Sequence, residues 1–137
     1  DDRQSAAHDA GGQQAQLVGV IADDQRVAGI VAALEADDDI GALAHTYRGF
    51  AQEHPEGFRL MFTIAAPHDA LERSAAPLIR AASALVGEED ALDAARLFTA
   101  WATGFLQMEL SGAFRLGGDV DRAFDYGLRR LTAGMAG

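Results

Sequence analysis

The residue types able to do covalent or acid–base chemistry are few in this chain and poorly grouped. Its four histidines are His8, His45, His54 and His68. Zinc sites gather ligands at close spacings such as His-x-x-x-His, and no two of these histidines stand that way. The Glu-x-x-His pairs of a di-iron helical bundle are missing too. With no cysteine, the chain has no disulfide, no thiolate metal site, no iron–sulfur cluster and no thiol nucleophile. No serine sits in a Gly-x-Ser-x-Gly turn. Gly11-Gly12 and Gly117-Gly118 lack the lysine of a phosphate-binding loop, and the chain has no lysine at all. Acid pairs such as Asp37-Asp38 and Glu88-Glu89 read as helix starts. To work in acid–base catalysis, one carboxyl of such a pair would need an apolar pocket. The expectation is a protein that is not an enzyme and carries no metal or cofactor.

Binding chemistry is better represented. Tyr47, Phe50, Phe58, Met61, Phe62, Trp101, Phe105 and Met108 gather in three stretches of a chain with only 7% aromatic residues. Such a set can fill an ordinary core. It can equally line a cavity for a flat apolar ligand, with methionines adapting to its shape. Tyr47 and Trp101 bring polar atoms that want a partner when buried. Both readings stay open at this point.

The elements that must position these residues are helices. Residues 1–15 show no apolar periodicity and read as a flexible lead-in. From Gln16, Leu17, Val20, Ile21, Val27, Ile30, Val31 and Leu34 recur at three- and four-residue steps, interrupted only by Asp24. Asp37-Asp38-Asp39 ends that helix and caps the next. The second helix carries Ile40, Leu43, Ala44, Tyr47, Phe50 and Ala51, and stops near His54 because Pro55 disfavours helix before it. Pro55 opens a short third helix, apolar on nearly all sides and so expected to be buried. A fourth runs from about His68 to Val86, with Pro77 either kinking it or splitting it at a Ser74 cap. Gly87 closes it. A fifth spans about Glu88 to Gly112 and a sixth about Asp119 to Gly134. No segment alternates with the two-residue period of a strand. The fold class is all-α, about six helices with short connections, and residues 16–137 form one domain.

Helix five has a side of mostly small residues, Leu97, Ala100, Gly104, Gln107 or Met108, and Ser111. Small residues let helices approach closely, and a glycine inside a helix calls for a packing reason. Helix six shows a stripe of Val120, Phe124, Leu128 and Leu131. Two copies of these helices would make a four-helix bundle across a two-fold axis. The expected dimer interface is therefore Leu97, Gly104, Ser111, Phe124, Leu128 and Leu131.

The 137 residues make one domain, large enough for a core. Net charge is −10, from 21 acids against 11 bases, all arginine. A chain this acidic lacks the positive footprint that holds a phosphate backbone. No apolar run approaches the roughly 20 residues of a membrane span, and no signal peptide is visible, so a cytoplasmic protein is expected. The chain opens Asp1-Asp2 and its first methionine is Met61. That raises the expectation of a piece of something longer.

The stretch from Ala100 to Phe114 resembles the Trp-x-x-His-Gly type of C-terminal domain of tetracycline-repressor (TetR) family regulators, through Trp101, Gly104, Glu109, Gly112 and Phe114. Thr103 stands where that pattern has its histidine. Tyr47 to Phe62 is similar to the family's Tyr-x-x-Phe-Ala-x-x-His-Pro-x-x-(Tyr/Phe)-x-Leu-Met-Phe stretch, and Phe124 to Gly134 to its last helix. The resemblance implies a helical sensor that binds a small apolar or amphipathic effector and forms a homodimer through its last two helices. It implies that ligand shifts a two-state equilibrium in a helix-turn-helix domain absent from this chain, through which alone DNA is bound. The alternative is a helical dimeric interaction module with a solid core and no ligand.

Overall fold

The computed structural model describes residues 39–61 and 68–136. Within them every regular element is a helix, and there is no strand. The elements are α1 (Ile40–Glu53), α2 (Pro55–Leu60), α3 (His68–Val86), α4 (Ala91–Leu110) and α5 (Val120–Ala136). The lead-in at 1–15, the helix expected from Gln16, and Phe62 lie outside the described residues.

Local sequence explains the boundaries. The Asp39 carboxylate accepts a hydrogen bond from the Ala42 N–H at 3.2 Å, satisfying one orphan donor of α1. His54 ends α1 with its N–H on the Phe50 carbonyl at 2.8 Å, and Pro55 starts α2 where its missing N–H is harmless. Pro77 is buried inside an unbroken α3, so the helix continues where a restart at Ser74 was the alternative. Residues 88–90 form a turn, and α4 therefore begins at Ala91, later than the run of acids implied. Asp119 caps α5, accepting from the N–H groups of Asp121 at 2.9 Å and Arg122 at 3.3 Å.

The end of α4 is a Schellman motif. Ala113 N–H reaches the Met108 carbonyl at 2.9 Å and Gly112 N–H reaches Glu109 at 3.1 Å. Such an ending needs a left-handed residue, and Gly112 supplies it with φ +70.

Helix α4 packs against α1, α3 and α5. Small residues, Ala82 of α3 with Ala91, Ala94 and Ala95 of α4, form one seam of the core. A second cluster joins Ile40, Leu43 and Ala44 of α1, Ala81 of α3, Phe98 of α4, and Phe124 and Leu128 of α5. A third joins Phe50 and Ala51 of α1, Phe58 of α2 and Leu106 of α4. Phe58 is fully covered, but Leu60 and Met61 are exposed, so only part of the apolar segment around α2 is interior. No helix among the described residues is long and apolar enough to cross a membrane.

The Trp101 indole packs against α5 at two neighbouring positions. It stacks on Phe124 with centroids 5.1 Å apart, and a Cβ added at Gly127 would come within 2.6 Å of its Cζ2. Gly127 is thus a close approach of helix backbone to ring. Gly127→Ala should lower stability by about 1–2 kcal/mol, because the overpacking penalty exceeds the gain in helix propensity. Urea titration read by Trp101 fluorescence checks this, and an unchanged or raised midpoint would contradict it.

Candidate binding site

Arg48 is the buried charged residue of the described chain, only 8% exposed. Its place follows from helix geometry. It lies four residues after Ala44 and three before Ala51, on the inward face of α1. A guanidinium held there demands counter-charge. Glu109 of α4 supplies it side-on, with Nε donating to Oε2 at 3.1 Å and Nη2 to Oε1 at 2.8 Å. Asp121 of α5 adds an ion pair from Nη2 at 2.6 Å. Gln52, one turn along α1, donates to Glu109 Oε1 at 3.2 Å. The guanidinium carbon stands 5.0 Å from the Phe124 ring centroid. The Glu109 hydrogen bonds raise the Arg48 pKa above its already high ordinary value, against burial, with Asp121 assisting. This group is a clamp. The Glu109 carboxylate is engaged on Arg48, so it is not placed as a free base.

One residue before Arg48, Tyr47 makes the other polar link from α1 to α4. Its hydroxyl and that of Thr103 lie 3.0 Å apart. Burial pushes the Tyr47 phenol up, and the bond to Thr103 offsets part of that rise. Around the pair stand Phe50, Phe58, Leu106 and Phe105, with the Tyr47 and Phe58 rings 5.7 Å apart.

Four of the expected pocket residues, Tyr47, Phe50, Phe58 and Phe105, thus come together. Trp101 does not join them directly. It belongs to the cluster of Phe98 and Phe124, which Phe105 bridges to the first. Met61 and Met108 are exposed, Met108 at 48%. Among the residues expected between copies, Leu97 (50% exposed), Gly104 and Ser111 line the outer side of α4, and a Cβ at Gly104 would meet nothing within 4 Å. Phe124 (0% exposed) and Leu128 (8%), also expected there, lie in the core of the single chain. Leu131 is half-buried against the same core. Periodicity shows that a stripe will be covered, not by what.

The polar clamp escaped sequence reasoning, although Arg48 at an apolar-stripe position was a usable signal. The histidines are otherwise placed. His45 pairs with Asp125 at 3.2 Å, His68 with Glu72 at 3.0 Å, and His54 packs on Phe50. No group of three metal-capable side chains occurs among the described residues.

Glu109→Ala should cost about 3 kcal/mol, since it leaves the buried cation with only the exposed Asp121 as counter-charge. Asp121→Ala, at an exposed partner, should cost about 1 kcal/mol or less. Equal losses in chemical denaturation would contradict the assignment of Glu109 as principal counter-ion. Tyr47 has a second consequence. A phenol whose folded pKa is raised contributes stability that is complete below its ordinary value of about 10 and is lost as pH climbs through the folded value. Tyr47→Phe should therefore flatten the alkaline limb of a Tm-against-pH curve.

Residues 40–131 match the model of a protein family described as "Tetracyclin repressor-like, C-terminal domain". The match spans α1 to most of α5 and includes both polar links. The match is to the family as a whole and does not carry the Trp-x-x-His-Gly detail; Thr103 stands before Gly104 here. Comparisons with curated proteins and with solved structures gave no match.

Proposed function

The chain belongs to the tetracyclin repressor-like C-terminal domain family, and from that premise we propose that it is the effector-sensing and dimerising part of a cytoplasmic bacterial transcriptional regulator. The observation that carries the reading is the family match over residues 40–131. Two features are consistent with it. The aromatic group of Tyr47, Phe50, Phe58 and Phe105 offers an apolar environment with a polar atom pair inside it. The outer side of α4 carries Leu97 and Met108, both exposed, with the half-buried Gly104 between them and Ser111 at the C-cap. In this reading, a small apolar or amphipathic effector sits beside α1 and α2, and α4 is the main dimer surface. Phe124 and Leu128 act from behind, by fixing α5 against α4.

Such a regulator would repress by holding two helix-turn-helix heads at the spacing of two operator half-sites. The effector must favour one spacing over the other, by about 1–3 kcal/mol of coupling. Nucleic acid would be read by those heads, since a net charge of −10 suits no phosphate backbone.

Light scattering should give the mass of a dimer for the wild-type chain. The double variant Leu97→Glu/Met108→Glu should halve that mass with helical circular dichroism unchanged. A wild-type monomer at high concentration would refute the dimer. A thermal-shift screen of uncharged apolar compounds should return binders that raise Tm. A flat screen would favour the other reading, a solid-core interaction module, in which Trp101, Phe105 and Phe124 only fill space.

A further inference from the structure

We infer that the effector is an uncharged apolar molecule with a hydrogen-bond acceptor, such as an aryl or alkyl ketone, and that the Tyr47–Thr103 hydroxyl pair is its polar anchor. This rests on the reading that the aromatic group on α1, α2 and α4 binds a ligand.

The argument begins with hydrogens. Two hydroxyls hold two, and the 3.0 Å bond between Tyr47 and Thr103 uses one. Among the described residues, each hydroxyl finds only the other. Whichever hydroxyl donates within the pair, the other keeps a hydrogen to give. The pair therefore offers a donor next to the rings of Phe50, Phe58 and Phe105. The ordinary phenol value of about 10 already keeps Tyr47 protonated near neutral pH, and burial moves it further up, so the donor persists there.

Charge completes the argument. The buried cation is Arg48, the next residue on α1, whose guanidinium lies over Phe124 and is already held by Glu109 and Asp121. An anionic ligand would find those two carboxylates next to the cation it sought. A cationic ligand would find Glu109 occupied by Arg48 and Gln52. Ions of either sign would enter without a counter-charge, at a heavy desolvation cost. A neutral acceptor meets the spare hydrogen and needs no counter-ion.

The test uses three molecules of one shape: acetophenone, its hydrocarbon isostere α-methylstyrene, and benzoate. Calorimetric titration is run on the wild-type chain, on Tyr47→Phe and on Tyr47→Phe/Thr103→Val. Acetophenone should bind the wild type and weaken about five- to tenfold in the double variant, the worth of one hydrogen bond. The hydrocarbon should bind both proteins within about twofold, and benzoate should bind neither. Tyr47→Phe/Thr103→Ala provides the comparison if the valine variant does not fold, since either single variant keeps one donor hydrogen. Equal weakening of ketone and hydrocarbon overturns the anchor, as does benzoate binding tightest. Failure of both neutral probes to bind the wild type overturns the binding-site reading itself, and the anchor falls with it.

Discussion

A buried guanidinium sets the terms for the rest of this structure. Arg48 lies inside the helical bundle, where an unpaired charge would cost far more than any single apolar contact returns. Its partners come from two other helices. Glu109 is the penultimate residue of α4 and Asp121 lies in the first turn of α5. The ends of α4 and α5 must therefore converge on the middle of α1. The connection between them is built to allow it: a Schellman ending at Gly112, then the Asp119 cap that starts α5 in register. Phe124, fully covered, then offers its ring face to the same cation.

Much of the helical layout was legible because it rests on local chemistry. Asp39, Pro55 and Asp119 fix three helix starts by capping or by a missing N–H, effects confined to one turn. The acid run 88–90 misled by a few residues, because negative charge favours a helix start without specifying which residue leaves the turn. Pro77 shows the opposite limit. A lone proline predicts a lost hydrogen bond, but α3 is packed along α4 through Ala82 and its neighbours, and tertiary contact carries the helix through.

Partner choice was the part sequence could not resolve. The Phe124–Leu128 stripe on α5 demanded cover, and a second copy and the chain's own core satisfy a hydropathy pattern equally. The structure places those two residues in the core of the single chain and leaves Leu97 and Met108 of α4 exposed. Trp101 illustrates the same difficulty within the site. Its type suggested a ligand wall, yet its neighbours are Phe124 and the bare backbone at Gly127. Arg48 was missed for a different reason. In a list of charges it is one arginine of many, and only its phase on α1 marks it as inward.

The two polar links from α1 to α4 do together what the apolar clusters cannot. Tyr47 and Arg48 are neighbours on α1, yet their partners Thr103 and Glu109 stand six residues apart, about 9 Å along α4. One anchor thus holds α1 toward the middle of α4, the other toward its end. Apolar contact is non-directional, so Phe50 and Phe58 could slide or turn by a few degrees at little cost. Hydrogen bonds weaken steeply with angle, and any rotation of α1 about its axis misaligns both at once. The rotational setting of α1 therefore belongs to the polar pairs and its depth of burial to the aromatics. A group that competes for one of those hydroxyls acts on the setting of the helix, whereas one that only adds apolar volume acts on its depth.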